Sequence, residues 1–175
     1  MINRRLLFLG AASAGAAALV QSGGANAKEP DLKPDPKDIP DYDKWQLSDK
    51  EWKERLAGKG EAYAVLRREA TERPFTSPFN EEKRKGIFSC AGCGYDLFTT
   101  DMKFDSGTGW PSFFDHLPNA LATKTDFKLI IPRTEYHCAR CGGHQGHVFN
   151  DGPASKTGLR YCNNGVALSF RPTES

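Results

Sequence analysis

The chain lacks an excess of either charge. Its 24 Lys and Arg face 22 Asp and Glu, and two of the arginines, Arg4 and Arg5, sit in an N-terminal stretch without a single acid. Without residues 1–27 the two signs balance, so nothing asks for a nucleic-acid partner or an anionic membrane surface. A long hydrophobic run is missing as well. The apolar stretch from Leu6 to Val20 is rich in Ala and Gly and falls short of the roughly 20 strongly apolar residues of a membrane span. Beyond Gly86 no pattern supports a helix of three turns, and no internal repeat is present.

The N-terminal stretch has its own logic. Adjacent arginines precede the small, apolar run, and Ala25-Asn26-Ala27 supplies an A-x-A cleavage motif before Lys28. Residues 1–27 therefore read as a secretory signal peptide, and the paired arginines point to the twin-arginine route and a periplasmic location. That route carries proteins already folded around a metal. An uncleaved N-terminal anchor is the alternative; after cleavage no stable membrane insertion is expected. Residues 28–46 read as a Pro/Asp/Lys-rich linker that cannot hold a helix and buries little, as in Lys33-Pro34-Asp35-Pro36-Lys37. Residues 47–172 suit one domain.

Within that domain, Ser48-Asp49-Lys50-Glu51 is a capping box opening a helix, with Trp52 and Leu56 on one face and Gly58 at its end. A second helical stretch runs from about Glu61 to Ala70, ended by Glu72-Arg73-Pro74-Phe75. Then the signal changes. Gly86–Ser89, Phe127–Ile131 and Val166–Phe170 are short β-type runs bounded by Gly, Pro and Asn. The fold class is mainly β, antiparallel, with a short helical N-terminal segment.

Cysteine is few in number and informative in spacing. Cys90 and Cys93 form one C-x-x-C hook, Cys138 and Cys141 another, and Cys162 is left over. Two hooks suit a tetrahedral four-thiolate zinc site, each bending a short glycine-containing turn around one ion. The hooks lie further apart than the roughly 15–20 residues of a compact zinc ribbon, so they would clip two distant segments. Two structural disulfides, suited to an exported protein, and a thioredoxin-like redox pair remain the alternatives.

The fifth thiol is available for chemistry. Cys162 lies in Gly158-Leu159-Arg160-Tyr161-Cys162-Asn163-Asn164, where Arg160 would share its side of an extended strand and favour the thiolate. Asn164 can orient a reacting oxygen. A buried, inert cysteine is the bland alternative. His144 and His147 follow the second hook directly and are candidate proton donors or acceptors, whereas His116 and His137 have no comparable context. The loop Gly107-Thr108-Gly109-Trp110-Pro111-Ser112-Phe113 presents an indole that either walls a methyl or thioether group or fills the core.

These pieces together resemble the peptide-methionine (R)-S-oxide reductases, which repair the R epimer of methionine sulfoxide. The resemblance covers roughly Leu47 to Pro172 and rests on Thr71-Glu72-Arg73-Pro74-Phe75, both hooks, the Trp110 loop, Gly143 to Pro153 and the Cys162 segment. It implies two antiparallel sheets and one structural zinc per chain held by Cys90, Cys93, Cys138 and Cys141. By the same resemblance Cys162 is the nucleophile, and Trp110 lines the pocket for the substrate methyl. His144, His147 and Asn164 hold or protonate the sulfoxide oxygen, while Asp151 and Arg160 organise the electrostatics. The implied partners are oxidised proteins or peptides as substrate and a thioredoxin-like or small-thiol reductant.

Some positions depart from the family pattern. Thr108 stands where many members carry a resolving cysteine, Gln145 replaces a common leucine between the histidines, and Gly165 replaces a serine after the Asn. The Asp151-to-Cys162 segment is slightly long. Two rivals compete: a zinc-ribbon binding module without catalysis, and a cysteine hydrolase using Cys162, His147 and Asn164.

Overall fold

The structure is a computed structural model that describes residues 27–127 and 132–173. The proposed export signal falls almost wholly on residues outside that range. Two short helices, α1 (Asp49–Arg55) and α2 (Ala62–Arg68), precede the strands. The strands are β1 (Gly86–Cys90), β2 (Asp96–Thr99), β3 (Lys103–Phe104), β4 (Ser112–Phe113), β5 (Leu121–Asp126), β6 (Arg133–Cys138), β7 (His144–Phe149), β8 (Arg160–Asn163) and β9 (Leu168–Pro172). They pair antiparallel in two sheets of order β2-β1-β9 and β3-β4-β8-β7-β6-β5. The mainly β, two-sheet class expected from the sequence is what the chain adopts. Among the described residues no helix is long and apolar enough to cross a membrane.

The core between the sheets is aromatic. Phe98 stacks on Phe113 with ring centroids 4.0 Å apart, Phe88 meets Phe113 edge-on at 5.1 Å, and Tyr136 meets Tyr161 at 5.4 Å. All five rings are buried. Rings of this size bury enough apolar surface to hold two small sheets together.

The helices form where the sequence places them, and their ends show why. Ser48 and Glu51 close the capping box, the Glu51 carboxylate taking the Ser48 N–H at 2.7 Å. The second helix stops earlier than its apolar spacing suggests. Glu69 turns left-handed (φ 54) and the Ala70 N–H folds back onto the Ala64 carbonyl at 3.1 Å, a C-terminal motif that ends the helix before the proline can. Both helices pack over the cysteine turns: a Cβ on Gly92 would lie 3.4 Å from the Trp52 ring and 3.5 Å from Leu66.

Two expected features differ in detail, and a third lies mostly outside the described residues. The last strand begins at Leu168, because Gly165–Ala167 is a 3-10 turn. The Glu72 carboxylate takes the N–H groups of Gly165 and Val166 at 2.5 and 2.9 Å, so neither is free for a strand ladder. Of the run Phe127–Ile131, Phe127 lies just past β5, and residues 128–131 lie outside the described range. The Pro/Asp/Lys-rich segment docks onto the sheet rather than standing free. Leu32 and Thr123 exchange hydrogen bonds at 2.8 and 3.0 Å, Ile39 is buried, and 3-10 turns form at Pro36–Asp38 and Tyr42–Trp45.

Candidate active site and four-cysteine centre

The nucleophile candidate is built into the middle of the larger sheet. On β8, Cys162 sits opposite Ser112 of β4 and opposite His147 of β7. Strand β7 approaches closely because it carries a glycine: a Cβ on Gly146 would fall 1.8 Å from the Cys162 carbonyl oxygen. A cleft of about 140 Å³ opens over this point, lined by Thr71, Trp110, Arg133, His147, Phe149, Cys162, Asn163 and Asn164.

His144 and His147 are three apart, which on a regular strand puts them on opposite faces. A bulge brings them together. Tyr136 pairs with Gly146 but His137 pairs with His144, leaving Gln145 as the extra residue on β7. The rings stand 5.5 Å apart, edge to face. Only His147 reaches the cleft wall. Its Nε2 lies 2.8 Å from Asp126 Oδ2, and Arg133 grips the same carboxylate at 2.7 Å. His144 is buried behind it, with Nδ1 3.0 Å from Glu135 Oε1. That approach is an ion-pair distance without hydrogen-bond alignment, since both His144 nitrogens lack an aligned partner.

Burial is the largest influence on the Cys162 thiol and pushes its pKa up. The charge of Arg160, followed by hydrogen bonding with Thr108 and Arg160, pulls it down without prevailing. Arg160 is itself buried, bidentate to Asp151 at 2.8 and 2.9 Å, and stacked over Phe149 at 4.3 Å. That ion pair holds the Asp151 carboxyl below its usual range. Burial also lowers the pKa of His147, against the opposing pull of its Asp126 bond.

Trp110 and Asn164 are fixed by one residue to which the sequence assigned no role. The Glu72 carbonyl accepts the Trp110 indole N–H at 3.2 Å, and the Glu72 N–H donates to Asn164 Oδ1 at 3.0 Å. Its carboxylate clamps Gly165 and Val166 as above, and burial pushes its pKa up. Asn164 Nδ2 donates to the Gln145 carbonyl at 2.9 Å, so both ends of this amide hold the fold while one face meets the cleft. Glu72 lay within a motif already noticed. Asp126, Arg133 and Glu135 carried no local signal, because their value depends on the pairing of β5, β6 and β7.

The four hook cysteines converge in a buried cluster with all ligand atoms within 4.8 Å of one another. Cys90 and Cys141 sulfurs are 3.7 Å apart, Cys93 and Cys138 sulfurs 3.6 Å. Disulfide sulfurs sit about 2.05 Å apart, whereas a tetrahedron with metal–sulfur bonds of about 2.3 Å has edges of about 3.8 Å. The cluster fits a metal ion. Cations surround it through the turn carbonyls: Arg55 binds Gly92 O at 2.7 Å, Lys59 Ala91 O at 3.2 Å and Arg67 Cys141 O at 2.9 Å, while Arg140 binds Cys93 O. They offset the charge that four thiolates around a divalent ion leave behind.

The SelR domain family matches residues 59–172. The chain is 48% identical over 128 residues to a peptide methionine sulfoxide reductase MsrB of Leifsonia xyli subsp. xyli, covering 73% of this chain and 91% of that protein. It is 49% identical over 130 residues to an MsrB of Methanosarcina barkeri, covering 74% and 89%. It is 46% identical over 129 residues to the chloroplastic peptide methionine sulfoxide reductase B1 of Arabidopsis thaliana, covering 73% and 62%. Matched over residues 59–172 and close to half identical to these reductases, the chain belongs to the peptide methionine sulfoxide reductase B family.

Proposed function

We propose that the chain reduces the R epimer of methionine sulfoxide in oxidised proteins or peptides, with Cys162 as the nucleophile. The observation that carries this reading is the cross-strand pair of Cys162 and His147 in a cleft walled by Trp110. The indole faces the substrate methyl, where sulfur–aromatic contact is favourable by roughly 0.3–1.5 kcal/mol.

The free thiol is protonated at neutral pH, because burial raises its pKa. His147, kept neutral by its own burial, accepts that proton. The Asp126 carboxylate on Nε2 favours the tautomer with hydrogen there, leaving Nδ1 as the accepting atom. His147 then delivers the proton to the sulfoxide oxygen as the Cys162 sulfur attacks the substrate sulfur. A sulfur–sulfur bond forms first. As the protonated oxygen moves from the substrate sulfur to Cys162, the substrate S–O bond and the transient S–S bond both break, methionine leaves, and the thiol hydrogen ends on the sulfenic acid. Two electrons have moved from thiol sulfur to sulfoxide sulfur. An external thiol condenses with the sulfenic acid to a mixed disulfide, releasing water, and a second thiol restores Cys162. His144 and Glu135 support His147 from behind, and Asp151 holds Arg160 so that its guanidinium lies near the reacting sulfur.

We assign zinc to the four-cysteine cluster, where it would act as a structural cross-link between the two hooks. Export through the twin-arginine route to the periplasm, with a thioredoxin-like or small-thiol reductant, completes the reading. The test is an epimer-resolved assay on oxidised peptide with an excess of thiol. One methionine formed per reducing pair, from the R epimer alone, is the expected result. Hydrolysis of a peptide ester without sulfoxide turnover would favour the cysteine-hydrolase alternative.

A further inference from the structure

Gln145 is fully buried, and it is the extra residue of the β7 bulge. Its Nε2 donates to Cys90 Sγ at 3.4 Å and to the Gly143 carbonyl at 3.4 Å. Its Oε1 accepts from Asn163 Nδ2 at 3.4 Å. The Gln145 carbonyl accepts both the backbone N–H of Asn164, at 2.8 Å, and its side-chain amide, at 2.9 Å. One residue thus touches a candidate metal ligand on one side and the two residues after the nucleophile on the other. Asn163 is pinned in turn, its Oδ1 accepting the Tyr136 hydroxyl at 2.8 Å and its Nδ2 donating to the Asn164 carbonyl at 2.8 Å.

A buried amide is costly unless its groups find partners, and here the partners lie in both sites. We propose that Gln145 is a positioning residue coupling the four-cysteine centre to the catalytic strand. Its N–H···S bond to Cys90 drains charge from a ligand sulfur of the filled site. The other end of the same amide holds Asn163, and the bulge carbonyl holds Asn164. The state of the metal centre therefore reaches the far side of Cys162 through three side chains, without a change of fold. This inference rests on the reductase reading and on a metal in the cluster.

The test uses the full chain loaded with zinc and, separately, with cobalt(II). Gln145→Leu keeps the volume and the backbone carbonyl and removes every side-chain bond; Gln145→Met is the second variant should the first fold poorly. Expected are an affinity for metal weakened by about tenfold in chelator competition, as for other partners of ligand atoms, and a shifted thiolate-to-cobalt charge-transfer band. The kcat on oxidised peptide should fall by about tenfold with KM little changed. A residue that only fills space would move none of these. Wild-type affinity and an unshifted band would overturn the proposal, and so would weakened affinity with unchanged kcat. If the wild-type chain reduces no sulfoxide, the reductase reading and the coupling to turnover fail. The competition and the cobalt band would then still decide the Gln145 bond to the ligand.

Discussion

His147 lies directly opposite Cys162 across the β7–β8 ladder, and its ring is anchored to Asp126 at 2.8 Å. Facing residues of an antiparallel pair keep their Cα atoms about 4.5–5.5 Å apart, so thiol and imidazole are held within reach by backbone pairing alone. A histidine set by sheet register cannot drift away from the facing thiol without unzipping the sheet.

Cys162→Ser should abolish methionine formation while leaving fold and metal content unchanged, because the cluster uses the other four cysteines. Alkylation of wild-type enzyme by iodoacetamide should follow a midpoint above about 8.5, the value of a free thiol, since burial raises it. A midpoint well below that value would mean that Arg160 outweighs burial.

The His147 pKa sits below the ordinary 6.5 or so of imidazole. Turnover should therefore hold through neutral pH, and its acid limb should lie below about 6.5, as the ring protonates and can no longer accept the thiol proton. The Asp126 bond raises this pKa, so Asp126→Asn should move the acid limb to lower pH while lowering the plateau. His147→Asn should cost about 10²-fold or more in kcat. A pH–rate profile of all three proteins checks these points, and a limb that moves up in Asp126→Asn would refute the arrangement.

Removal of the metal by a strong chelator should lower the melting temperature sharply, because a structural thiolate site contributes folding free energy directly. Any single hook substitution, Cys138→Ser for example, should do the same. One zinc per chain by elemental analysis is the expected stoichiometry.

Glu72→Ala should destabilise by about 1–3 kcal/mol, since it strips the acceptor from the N–H groups of Gly165 and Val166 in a buried setting. Activity should fall beyond what the lost stability explains, because the carboxylate anchors the turn at Gly165 and Val166 directly after Asn164, while the backbone bonds of residue 72 to Trp110 and Asn164 persist in the variant. Denaturant titration beside steady-state kinetics separates the two effects.

Regeneration should pass through an external thiol. Oxidised wild-type enzyme should carry a single dimedone adduct on Cys162 by mass spectrometry. Thr108 lies close enough to the Cys162 thiol to pull its pKa down, so Thr108→Cys should form an internal disulfide and lose the adduct. A disulfide from Cys162 to a hook cysteine in the wild type would instead make the cluster a redox partner.

Much of this was readable along the chain because it depends on neighbours in sequence. The capping box, both C-x-x-C turns, the isolated Cys162 and the Trp110 loop each rest on residues a few positions apart. Their local geometry follows from hydrogen bonds and turn sterics that the chain satisfies alone. The early end of α2 was not readable, since Glu69 had to turn left-handed before the proline arrived.

The sequence by itself determined the chemistry available: five thiols in a four-plus-one pattern, two nearby histidines, an indole and a mainly β chain. Tertiary structure decided which of these groups meet. The bulge at Gln145 turned a three-residue spacing into two adjacent rings, and strand register then chose His147 rather than His144 for the cleft. Asp126, Arg133 and Glu135 joined the site only through pairing across three strands, and Glu72 only by reaching the turn after Asn164. Contacts between residues far apart in sequence depend on register and on which backbone groups remain unpaired, and neither quantity is written in any short stretch of chain.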